Sequence, residues 1–193
     1  MHHKDVDTYC PQSRTQWRQW LDENHLSRQS VWLVFYTKKS NIPSLSWSEA
    51  VDEALCFGWI DSTKKKINDV SFMQFFSKRK PKSNWSKINK EKVKQLIDCK
   101  KMTKQGYESI EIAKENGYWT ILDEIEELII PNDLEIAFEK HHGSKDYFLS
   151  LSKSTRKIIL GWIILVGKPE TRQKRIAEVV ESAALNLKPK HLR

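Results

Sequence analysis

The chain has 193 residues, 39% of them hydrophobic, and a formal net charge of +8. Eight Trp, seven Phe and five Tyr supply enough buriable surface to exclude a disordered polymer. The longest apolar run, residues 158–166, is about half of what a bilayer span needs, and no membrane-spanning helix is expected. The first residues lack the apolar core of a secretory signal, and Cys10, Cys56 and Cys99 are too few and too scattered for a disulfide framework, so a reduced, cytoplasmic compartment is expected.

Residues 13–24 predict a helix, with Trp17, Trp20 and Leu21 on one stripe. Residues 31–36 (VWLVFY) predict a strand whose near-continuous apolarity implies burial on both faces. A loop over 39–45 leads to Ser46-Trp47-Ser48-Glu49, a capping box that opens a helix ending near Gly58. Residues 60–67 and 72–77 predict two strands joined through Asn68-Asp69. Beyond Asn84 the pattern is helical: 86–100, 103–116, 118–129, a segment capped by Asn132 and running to about His141, 144–151, a helix through 158–166 capped by Ser152 or Ser154, and 170–185. The tail 188–193 is basic and expected to fray.

The fold class is therefore α+β: a small, mostly antiparallel sheet with flanking helices, followed by a helical C-terminal half. Residues 1–100 form the first part, 101–187 the second and 188–193 a tail, with one continuous domain as the alternative.

Charge is concentrated. Residues 64–104 hold fourteen Lys or Arg against three Asp or Glu, a net of +11, which leaves the rest of the chain at −3. Such a region attracts phosphates, nucleic acid or an acidic protein surface, or is a solvated lysine face. Within it, Phe76–Ser86 sets Lys78, Arg79, Lys80, Ser83, Trp85 and Ser86 before a predicted helix start, where amides and dipole favour an anion and an indole can stack a ring. Lys64, Lys65 and Lys66 lie on the preceding strand. Trp59 and Asp61 stand at the helix-to-strand junction beside Cys56, either at a pocket edge or as core. No histidine neighbours Cys56 in sequence, so a buried structural thiol outweighs a nucleophile there. Arg172 and Arg175 share a helix face, as outlying parts of an anion site or as ion-pair partners of the acidic stretch 123–127. No histidine or cysteine spacing suits a metal, and no glycine-rich phosphate loop occurs; no cofactor is expected.

Six stretches, residues 50–62 (AVDEALCFGWIDS), 76–89 (FSKRKPKSNWSKIN), 102–106, 113–119 (AKENGYW), 131–137 (PNDLEIA) and 168–176 (KPETRQKRI), together resemble the YdeI/OmpD-associated family of bacteriocin-protection proteins. Two departures are visible: Lys78 stands where the family has proline, and Gly167 where it has alanine. The resemblance implies a bacterial protein with a part in resistance to cationic antimicrobial peptides or bacteriocins, without a catalytic residue. A chain of net +8 repels cationic peptides, so that part is expected to be indirect. The leading expectation is a non-catalytic protein that binds an acidic partner or phosphorylated ligand through the basic region. A nucleic-acid-binding protein and an enzyme with a Cys56/Asp61 pocket are the alternatives. The oligomeric state is left open.

Overall fold

The computed structural model describes residues 7–193; His2 and His3 lie outside them. The chain divides into two compact units, one ending at Trp119 and the other beginning at Thr120.

The N-terminal unit is a four-stranded sheet in the order β1-β2-β4-β3, built from β1 (Thr8–Tyr9), β2 (Ser30–Tyr36), β3 (Trp59–Lys66) and β4 (Ser71–Lys78). β2, β4 and β3 pair antiparallel, and the short β1 runs parallel to β2. β1 is the strand that the sequence pattern missed: two residues carry no period. Burial of β2 alternates strictly, with Val31, Leu33 and Phe35 inside and Trp32, Val34 and Tyr36 half-exposed. The expectation of burial on both faces is thus corrected. Trp32 lies edge-on to Phe75 with centroids 5.0 Å apart, a cross-strand aromatic pair that accounts for its apolar character on the half-exposed face.

Helices α1 (Arg14–Asn24), α2 (Trp47–Cys56), α3 (Lys87–Asp98) and α4 (Lys104–Glu115) complete the unit. Their apolar sides meet the inner sheet residues in one core that includes Trp17, Leu21, Leu33, Phe35, Leu55, Trp59, Phe76 and Trp85. The capping box forms as expected: Ser46 accepts from the Glu49 amide while Glu49 accepts from the Ser46 amide, an arrangement worth about 1 kcal/mol. A carboxylate also enters this core. Glu53 is 2% exposed and held by Arg14 and Arg18, both donating from α1.

The approach of α4 to the end of α2 sets the local geometry. The amide of Thr103 and its hydroxyl both donate to Cys56 O, at 3.1 and 2.7 Å. Gly106 then lies so close that a Cβ would stand 2.3 Å from Cys56 O. Two residues on, Gly58 takes φ +70, and a Cβ there would meet Gln105 O at 2.9 Å.

The C-terminal unit is all helical: α5 (Ile121–Glu126), α6 (Asn132–Glu139), α7 (Ser144–Ser150), α8 (Lys153–Ile164) and α9 (Pro169–Ala184). Leu134, Phe138, Phe148, Ile159, Leu160, Ile163, Ile176 and Val179 form its core. Three expectations change. The 118–129 helix is confined to α5. Pro131, not Asn132, is the cap residue of α6. The tail is docked rather than frayed: Pro189 is buried, the His191 ring lies 4.0 Å from that of Trp162, and Arg193 donates to Ser182 Oγ. No helix among the described residues is long and apolar enough to cross a membrane.

Two measurements check this architecture. Gly106→Ala forces a backbone clash and is expected to cost about 3 kcal/mol in denaturant unfolding. Gly117→Ala, with φ +80 but open space around it, costs only about 1 kcal/mol. In the other unit, Arg172 holds the Asp133 carboxyl below its ordinary pKa through hydrogen bonding. A carboxyl with a depressed folded pKa stabilises at neutral pH and loses that contribution as acid protonates it. Stability of the C-terminal unit is therefore expected to fall from about pH 5 downward, and Asp133→Asn to flatten that slope.

Candidate anion-binding pocket

A half-enclosed pocket of about 200 Å³ opens where the α2–β3 turn, the end of β4 and α4 converge. Phe57, Gly58 and Trp59 supply one wall, Lys78, Arg79, Lys80, Pro81 and Trp85 a second, and Gln105, Glu108, Ser109 and Ile112 of α4 a third; His25 and Leu26 close the side next to α1. Backbone pairing fixes the first two walls against each other. Trp59 is the register partner of Lys78, and the Arg79 amide donates to Gly58 O at 2.9 Å. The close packing of Gly106 and Gly58 brings up the third.

The walls are apolar, yet they contain polar atoms shut off from water and without a hydrogen-bond partner: Nε2 of His25, Nε1 of Trp59, and Nε and Nη2 of Arg79. A buried donor left unmade costs the full desolvation of the group, so each such atom calls for an explanation; Thr37 Oγ1 and Arg156 Nε are two more, outside the pocket. Arg79 is the most unusual. Its Nη1 donates to Ser83 Oγ and Asn84 O, and its guanidinium lies 3.6 Å from the Trp85 ring centroid. These contacts orient it without neutralising it. Burial pushes its pKa down to about 10, against a smaller opposing influence of the Asp61 charge. It remains a cation at neutral pH, and the cost of confining it eases only as pH rises through that value.

No carboxylate among the described residues pairs with Arg79. Asp61 is engaged elsewhere, accepting from Trp47 Nε1 at 2.9 Å and Gln74 Nε2 at 3.0 Å. His25 places Nδ1 2.8 Å from Leu21 O; donation there leaves Nε2 as an acceptor, or as a second donor when the ring is protonated. Lys78 Nζ is tied to Leu26 O, and Glu108 stands exposed at the mouth.

The pocket thus gathers Trp59, Lys78, Arg79, Lys80 and Trp85 of the sequence candidates, with Ser83 bracing Arg79 from behind. Trp59 and Trp85 are both buried; one face of Trp85 is covered by Arg79, and its ring centroid lies 4.9 Å from that of Trp119. Ser86 is spent as the cap of α3, accepting from the Asn89 amide. Asp61, Lys64, Lys65 and Lys66 do not line the pocket. Lys64 lies over the Phe72 ring, Lys65 over Trp32, and Lys66 pairs with Asp69. Arg172 and Arg175 belong to the other unit. Arg172 grips Asp133 of α6 with Nε and Nη2, at 2.6 and 2.9 Å, rather than the acidic stretch 123–127, and Arg175 donates to Trp162 O. Cys56 is fully buried, and burial followed by the Glu53 charge pushes its pKa up to about 11, so it stays a thiol. His25 and the α4 residues escaped the sequence reading because they lie far from Arg79 along the chain.

A family model described as a domain of unknown function (DUF8412) matches residues 9–109, just over half of the chain. A second, described as bacteriocin-protection, YdeI or OmpD-associated, matches residues 127–186. The chain belongs to the DUF8412 family, and its residues 127–186 are similar to the YdeI/OmpD-associated domain. The DUF8412 match takes in Arg79, Trp59 and His25, so every unpartnered atom of the pocket lies in that domain, while Arg172 and Arg175 lie in the YdeI/OmpD-associated one. No curated protein and no solved structure matches the chain significantly.

The two arginines of these domains should respond oppositely to the same change. Arg79→Met removes an unpaired buried cation and is expected to leave the melting temperature of the unliganded protein unchanged or a few degrees higher. Arg172→Met strands Asp133 and should lower it by several degrees. Differential scanning calorimetry of both variants checks this.

Proposed function

We propose that the DUF8412 domain is a non-catalytic binding module that captures a small anionic ligand in the Arg79 pocket. The observation that carries this reading is the free Nε/Nη2 edge of Arg79, desolvated and unpaired in an apolar wall. A protein gains no stability from such a group; a bound anion would supply the partner the fold withholds. Trp59 Nε1 adds a neutral donor. Lys80, exposed at the rim, steers an anion inward without contributing much to its grip. Any part the chain plays in bacteriocin protection would then run through what this pocket takes up, since a net charge of +8 repels a cationic peptide.

Thermal shift across simple carboxylates, phosphates and sulfate tests the reading. A ligand at 100 times its Kd stabilises by about 2.7 kcal/mol, which for a protein of this size raises the melting temperature by about 5 °C or more. The shift is expected in the native protein and absent in Arg79→Met. A shift that persists in the variant, or none with any anion, overturns it.

A further inference from the structure

We infer that the anion this pocket takes is the carboxylate of an apolar organic acid, with an aromatic or compact aliphatic body, rather than a phosphate. The inference rests on the anion-binding reading above and narrows it to one ligand class. Three features of the site carry it.

The first is the shape of the free donor set. Nε–H and Nη2–H lie parallel on one edge of the guanidinium and match the two oxygens of a planar carboxylate. The same molecule shows this fit: Arg172 uses the same two atoms, Nε and Nη2, on the two oxygens of Asp133. Arg79 lines the cavity and leaves that edge without a hydrogen-bond partner but closed to water, so a carboxylate reaches it by displacing the packing that covers it.

The second is how few donors the interior leaves free. A phosphate monoester carries nearly two charges at neutral pH and three acceptor oxygens, and needs several donors. Here the opposite corner of Arg79 is committed to Ser83 and Asn84, the Lys78 ammonium spends one of its three donors on Leu26 O, and Lys80 stands exposed at the rim. One guanidinium edge and the Trp59 indole N–H suffice for a single carboxylate.

The third is the remainder of the cavity. Leu26, Phe57, Trp59, Pro81, Trp85 and Ile112 give it an apolar lining. A cavity of roughly 150 Å³ lined by aliphatic and aromatic side chains holds benzene, so about 200 Å³ has room for one ring and its carboxylate. A fully hydrated inorganic anion would leave that lining unused.

Tryptophan fluorescence reads the site directly, because Trp59 and Trp85 form its walls. The full-length protein is titrated with benzoate, phenylacetate, phenyl phosphate and inorganic phosphate at constant ionic strength. Benzoate or phenylacetate is expected to bind at least 10-fold more tightly than either phosphate. Arg79→Lys, which keeps the charge but loses the planar edge, should weaken the carboxylate at least 10-fold. Trp59→Phe, which keeps a ring but removes the N–H, should weaken it by about 3-fold or more; its quenching is then read from Trp85. Circular dichroism confirms that each variant is folded, and the two substitutions keep the test decisive if one of them is not. Tighter binding of the phosphates overturns the carboxylate assignment and leaves the anion pocket standing. Carboxylate binding that is unchanged in both variants overturns the assignment as well. No binding by any of the four probes overturns both.

Discussion

The contact between Gly106 and the carbonyl of Cys56 is the constraint on which the pocket depends. A helix start rarely approaches another backbone this closely, and it does so here because the position has no side chain. Thr103 locks the approach with two hydrogen bonds to the same carbonyl. From that junction Gly58 turns the chain into β3, which delivers Trp59 inward and gives the Arg79 amide its acceptor. α4 is thereby fixed at the height where Gln105, Ser109 and Ile112 form a wall. Without the glycine, α4 stands off and the cavity has two sides.

Two arginines illustrate how one side chain serves two ends. Arg172 is gripped by Asp133 on two hydrogen bonds, and the charge it places between α6 and α9 is cancelled locally. Arg79 is stacked, braced and dried, but not paired. Buried charge without a counter-charge is a standing cost to folding.

Much of the architecture was legible in the sequence because its signals are local. The capping box at Ser46–Glu49, the three long strands, the helices over 14–24, 87–98, 104–115 and 169–184, and the helical second half all follow from periodicity and end signals within a few residues. Features that depend on a partner elsewhere were not legible. β1 exists only because β2 offers it an edge. The tail is held by Trp162 and Ser182, twenty-nine and eleven residues upstream of the groups they meet. The basic stretch pointed to Arg79, but net charge could not distinguish the guanidinium with an unpartnered edge from lysines lying over half-exposed rings. That distinction needs His25 and α4, which only the fold brings together.

β3 closes one end of the sheet, and among the described residues no further strand pairs with its outer edge. Such an edge is a template on which another chain can add and begin a fibre. Here the register slips between Asp61 and Lys64, and three consecutive lysines follow, all exposed. An incoming strand would meet an interrupted ladder and a row of like charges. The crowding of positive charge on this strand thus has a consequence apart from any ligand: it opposes the addition of another chain along this edge.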